Sequence, residues 1–173
     1  NTLPSGPDIY FKTRAPMFKD PDRSWGILYK RSLLSKYAIK YPADVPFLED
    51  GQFLGQVYSV ADRCEALSIP FYIREERPGS ATKSPLFYSD RAADGFIRAA
   101  KDMQTFQQRN LSALSDSQYG LANHIIARFI LLTLSPSASK RDLKTFAKRV
   151  DQLKKANFTK IDCKGVKRWH RKY

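Results

Sequence analysis

The sequence is poor in the residues that build metal centres and stapled folds. It has two cysteines and two histidines in 173 residues. Cys64 and Cys163 lie far apart and form no CxxC, so neither a disulfide framework nor a zinc site is expected. Such cysteine usage points to a reducing compartment. No glycine-rich phosphate loop and no Ser/His/Asp or Cys/His arrangement stands out. His124 sits beside Ile125 and Ile126 in a helical pattern, where a structural role is expected, and His170 falls in the basic C-terminal end. The longest apolar run, IIARFILLTL (125–134), is too short to span a bilayer and carries Arg128. The opening NTLPSGPDIYFK has neither the basic n-region nor the apolar core of a secretory signal.

Acidic residues are also scarce. There are 17 Asp/Glu against 30 Lys/Arg, a net charge of +13. An excess of this size suits an anionic partner: nucleic acid, a membrane surface or phosphorylated small molecules. The excess is uneven. Residues 140–173 hold 13 Lys/Arg and 3 Asp, whereas the preceding 139 residues hold 17 basic and 14 acidic residues. The body is nearly balanced and the basic character belongs to the C-terminal segment.

What is present is a core-forming composition, 42% hydrophobic and 13% aromatic, in a chain of single-domain length. Residues 1–23 read as loop with a short strand, DIYFKT (8–13). Ser24 reads as the N-cap of a short helix, WGILYKRSLLSKY. Phe53, Leu54, Val57, Val60, Ala61 and Cys64 recur at helical spacing and predict an amphipathic helix from about Gly51. ALSIPFYIR (66–74) reads as a strand with Pro70 marking an edge or a start. EERPGSATKSP (75–85) reads as a loop. Three helices are expected after it, Tyr88–Gln108, Gln118–Leu134 and Lys140–Ala156, with SPSAS (135–139) separating the last two. Their apolar positions include Ala92, Phe96, Ile97, Ala100 and Met103, then Leu121, Ile125, Phe129 and Leu132, then Leu143, Phe146, Val150 and Leu153. The expected organisation is 1–23, a segment 24–86, a helical region 87–156 and a basic tail 157–173. The expected fold class is α+β, helix-rich with few short strands.

The chemistry-bearing feature is the acid pair Glu49 and Asp50, placed where the apolar VPFL ends and a helix begins. A carboxylate there feels the positive end of the helix dipole and stays ionised. Asp50 can be a plain helix N-cap. It can also be a general base presented into a cleft, with Glu49 as a supporting group or second contact. Local pattern leaves both open.

The order SWGILYKRSLLSKYAIKYP, VPFLEDGQFLGQVYSVAD, IPFYIREERPGSAT resembles the second half of bacterial family 2 glycosyltransferases, inverting enzymes of GT-A fold that build surface polysaccharides. The matching residues are Trp25, Leu28, Tyr29, Lys30, Leu33 and Leu34; Tyr41 and Pro42; Glu49 and Asp50; Pro70, Tyr72 and Arg74; and Arg77, Gly79 and Ser80. The resemblance covers residues 24–82. It implies that Asp50 deprotonates an acceptor hydroxyl, which attacks the anomeric carbon of a nucleotide-sugar with inversion. It implies a post-strand loop in which Arg74 and Arg77 neutralise the leaving diphosphate and Ser80 hydrogen-bonds it or the sugar. Trp25 and Tyr72 are either a sugar-stacking platform or core packing, and Arg77 is alternatively a solvated loop charge. The fold implied is the acceptor-side, C-terminal half of a GT-A enzyme. No alternating strand–helix half with a metal-binding D-x-D precedes these motifs. DPD (20–22) fits the letters but reads as a turn. The expectation is an acceptor-side portion, inactive alone, in a family whose members use Mg²⁺ or Mn²⁺, with no ligands for the ion visible in the sequence. The partners implied are a nucleotide-sugar and a glycan or lipid-linked acceptor.

The segment 140–173 pairs the apolar Leu143, Phe146, Val150 and Leu153 with many cations, then adds Trp169 and Tyr173. That pattern suits an anionic membrane surface and places the protein in the cytoplasm, peripheral to the inner face of the membrane. It equally suits a solvated helix packed on the body. The rival class is a non-catalytic basic domain binding a membrane or nucleic acid. Nucleic acid is disfavoured because the body is near neutral and carries no recognised binding motif.

Overall fold

The computed structural model describes residues 3–13, 24–73, 75 and 85–166. Among these residues there are six α-helices, three short 3-10 turns and no β-strand. The α+β expectation, and with it the likeness to half of a GT-A fold, is therefore corrected: the described fold is all-α. The two expected strands fail for different reasons. Residues 8–13 lie within α1 (Gly6–Thr13), because Ser5 and Asp8 form the start signal of a helix. The Ser5 backbone N–H and hydroxyl both donate to Asp8 Oδ2, at 3.0 and 2.6 Å, and Pro7 occupies the first turn. Residues 66–73 form no regular element and make no backbone hydrogen bond among the described residues. A strand needs a neighbouring strand to take its N–H and C=O groups, and the described residues supply none.

The helix expected from Ser24 is broken into a 3-10 turn, Ser24–Gly26, and a short α2, Arg31–Lys36. The helix after the acid pair is α3, Glu49–Val60. It starts ahead of Gly51 and stops before Cys64, where the chain turns extended at Ala61. The three C-terminal helices are α4 (Asp90–Arg109), α5 (Asp116–Ser139) and α6 (Leu143–Lys155). Each begins on a side-chain cap: Ser89 accepts from the Ala92 N–H, Ser115 forms a capping box with Gln118, and Asp142 accepts from the Thr145 N–H. SPSAS does not end α5 where expected; Pro136 lies inside its last turns.

α5 is the centre of the molecule and packs against α1, α3, α4 and α6. Its Leu121, Ile125 and Phe129 are fully buried against Phe96, Ala99, Ala100 and Met103 of α4. By length and composition α5 could cross a bilayer, but most of its apolar window is spent inside this core. His124 is buried edge-on against Tyr10 and Phe11, at ring distances of 5.9 and 5.1 Å, which matches the structural role expected of it. A buried amide network closes the core's far end. Gln107 donates to Asn123 Oδ1 at 2.7 Å, and Asn123 donates to the Lys164 carbonyl at 3.1 Å. This holds the segment after α6 onto α5. Gly165, at φ 77°, lies so close to Gly120 that a β-carbon on it would fall 2.3 Å from the Gly120 Cα.

The expected apolar face of α6 is only partly used. Leu153 is buried, Phe146 and Val150 are half-buried, and Leu143 stands exposed. The other α6 residue in the interior is a cation, Arg149, which pairs with Asp90 and reaches Asp94 Oδ1 at 3.7 Å.

A second apolar cluster positions the acid pair. Tyr37, Ile39, Phe53, Leu54, Val57, Val60 and Phe106 are buried together, with Ile27, Tyr29, Leu33 and Leu34 packed on them. The segment 27–39 is thereby pressed onto α3 and the end of α4. Arg109 secures it by donating to the Tyr37 carbonyl at 2.8 Å.

Candidate active site

Asp50 is not the helix cap. The N-cap of α3 is Leu48, in a left-handed conformation at φ 59° and with no side-chain cap. A bulky residue rarely adopts that conformation, so the chain is strained at the entry to this helix. Asp50 therefore sits inside the first turn, half-buried.

Two hydroxyls meet it. Ser24 Oγ donates to Asp50 Oδ1 at 2.5 Å. Tyr41 Oη donates to the same Oδ1. Tyr29 stands behind: its hydroxyl donates to the Ser24 carbonyl at 2.7 Å. Among the described residues no hydrogen bond reaches Asp50 Oδ2. Both tyrosine rings rest on Phe53, three residues further along α3, at centroid distances of 5.3 Å for Tyr29 and 5.4 Å for Tyr41. The residues that hold the carboxylate are thus fixed by the same helix that carries it.

The local electrostatics agree with donation by these hydroxyls. Burial, then electrostatic coupling to neighbouring Tyr58 and Asp50, pushes the Tyr29 hydroxyl well above its ordinary value. Burial, then the hydrogen bond to Asp50, does the same for Tyr41, and Glu49 adds to it. Both tyrosines are protonated donors at neutral pH.

Trp25 follows Ser24 directly and stacks on Tyr72, with centroids 4.9 Å apart and planes 29° from parallel. Tyr72 is 52% exposed. Tyr72 is therefore a surface residue, and the half-buried Trp25 stacks on it next to the residue that holds Asp50. Of the residues singled out from the sequence, Asp50, Glu49, Trp25 and Tyr72 fall in one neighbourhood. Arg74, Arg77 and Ser80 lie outside the described residues. Ser24, Tyr29 and Tyr41 were not assigned to the site from the sequence. Their signal was present, because Tyr29 and Tyr41 belong to matched motifs, but nothing in their spacing showed that Tyr41 would fold back nine residues onto Asp50.

No group of three His, Cys, Asp or Glu side chains able to hold a metal occurs among the described residues. The DPD triplet at 20–22 lies outside them. Near Asp50 the other acid among the described residues is Glu49, and Oδ1 of Asp50 is taken by two hydroxyl donors. No protein-family model, no curated protein and no solved structure matches the chain.

Proposed function

We propose that the protein transfers a sugar, with inversion, from a nucleotide-sugar to a hydroxyl of a glycan or glycolipid, and that Asp50 is the base. The observation that carries this reading is the carboxylate in the first turn of α3, with one oxygen held by Ser24 and Tyr41 and the other without a hydrogen bond among the described residues. That second oxygen takes the acceptor hydroxyl's proton. The acceptor oxygen bonds to the anomeric carbon, the bond from that carbon to the diphosphate oxygen breaks, and its electron pair leaves with the diphosphate. Arg74 and Arg77 are assigned to the leaving diphosphate and Ser80 to the diphosphate or sugar. Trp25 and Tyr72 offer the acceptor an aromatic face, which suits the C–H-rich side of a pyranose ring. The family's divalent cation belongs to this reading as an expectation.

The test is Asp50→Asn in the full protein, assayed with a panel of nucleotide-sugars and oligosaccharide or lipid-linked acceptors. The expected result is a loss of transfer of about a thousandfold or more, with thermal unfolding unchanged. Transfer at the wild-type rate would remove Asp50 from the chemistry.

A second reading, binding without catalysis, is favoured by the exposed cations of α6. Lys148 and Lys155 are engaged by Asp90 and Asp151, but Lys144 and Lys154 point to solvent. These serve either reading, because a lipid-linked acceptor lies at the cytoplasmic face of a membrane, where the protein would sit peripherally. Binding to anionic vesicles and not to a mixed oligonucleotide supports the membrane partner; the reverse pattern supports nucleic acid.

A further inference from the structure

We propose that Ser24 and Tyr41 are positioning residues that bind one oxygen of Asp50 and so make Oδ2 its single proton-accepting atom. The proposal rests on the assignment of Asp50 as the base. A free carboxylate offers two equivalent oxygens and rotates between them. Here two hydroxyl donors converge on Oδ1, from two different segments of chain. Rotation would break both bonds at once. Neither donor is itself loose. The Ser24 backbone is tied to Tyr29, and the rings of Tyr29 and Tyr41 bear on Phe53 of α3. The clamp is thus built on the helix whose first turn presents the acid. An acceptor approaching Asp50 meets an oxygen of fixed position, which is what a near-attack geometry requires.

The clamp has a measurable consequence. With either hydroxyl gone, one of the two bonds that fix Oδ1 is lost, and the reacting oxygen is no longer held in one place. What is lost is geometry at the reacting atom, so the effect falls on kcat and not on KM.

The experiment measures kcat and KM of transfer, with thermal unfolding, for the wild type, Tyr41→Phe, Ser24→Ala and Ser24→Thr. The expected result is a fall in kcat of about tenfold in Tyr41→Phe and Ser24→Ala at unchanged KM, with recovery toward the wild-type rate in Ser24→Thr, which keeps the hydroxyl. A merely structural role would lower the unfolding temperature and move KM together with kcat. An unchanged kcat in folded Tyr41→Phe and Ser24→Ala overturns the proposal. If Asp50→Asn still transfers sugar, the base assignment fails, whatever the Tyr41 and Ser24 variants do, and the proposal falls with it.

Discussion

Two apolar stretches of this chain end in opposite environments. α5 carries Leu121, Ile125 and Phe129 with no exposed surface. Residues 66–73 are as rich in large apolar side chains, yet Ile69 is 70% and Ile73 87% exposed. Composition does not separate them; backbone hydrogen bonding does. A helix satisfies its own N–H and C=O groups, so α5 needs only apolar faces to pack against. Residues 66–73 have a strand's composition, and a strand is completed only by a second strand. The described residues contain none, so the segment stays irregular and its side chains stay wet.

The sharpest way to test the buried half of this comparison is to empty it. Phe129→Ala should destabilise the fold by about 3–5 kcal/mol, because α4 and α5 cannot close around the lost ring. Urea unfolding followed by circular dichroism measures it. A cost under about 1 kcal/mol would mean that α5 is not the centre of the core.

The next effect comes from the charge that α6 sends inward. Arg149 is nearly fully buried, whereas its partner Asp90 is 66% exposed at the side chain. The hydrogen bond from Lys148, then the charge of Arg149, holds the Asp90 carboxyl below its ordinary value. A lowered carboxyl stabilises the fold above its unfolded-state value, near pH 4, and that stability fades as pH falls through the lower folded value. Asp90→Asn should therefore cost about 1–2 kcal/mol at pH 7, discounted for the exposure of Asp90. The difference from wild type should shrink as pH falls through the lowered folded-state value of Asp90 and vanish below it. A pH-independent difference would show that the amide acts by packing and not by charge.

These cases explain what the sequence made legible. The helices after residue 87 were readable because 3.6-residue periodicity and the caps Ser89, Ser115 and Asp142 are local signals. α1 was misread as a strand because DIYFKT was weighed without the Ser5–Asp8 start signal just ahead of it. In the candidate site, Asp50 and its helix were visible as an acid beside a helical period. The residues that hold Asp50 were not, because the bonds from Ser24 and Tyr41 are made across loops, and only the packing of Tyr29, Tyr41 and Phe53 brings them there. Arg149 was hidden for a related reason: a cation in an amphipathic helix reads as solvated until its partner, almost sixty residues earlier, is known.

The smallest effect tests the exposed half of the comparison. Ile69→Ser and Ile73→Ser remove apolar side chains that touch little, so each should change stability by no more than about 0.5 kcal/mol. Solubility should rise, since exposed apolar side chains invite association. The site gives the pair of variants a second use. Tyr72 lies between them and is held by its stack on Trp25. If the stack alone fixes this end of the segment, Trp25 fluorescence should be the same in both variants, whereas Tyr72→Ala should alter it. A destabilisation above about 1 kcal/mol for Ile69→Ser or Ile73→Ser would mean that the segment is covered in solution, and the contrast with α5 would then disappear.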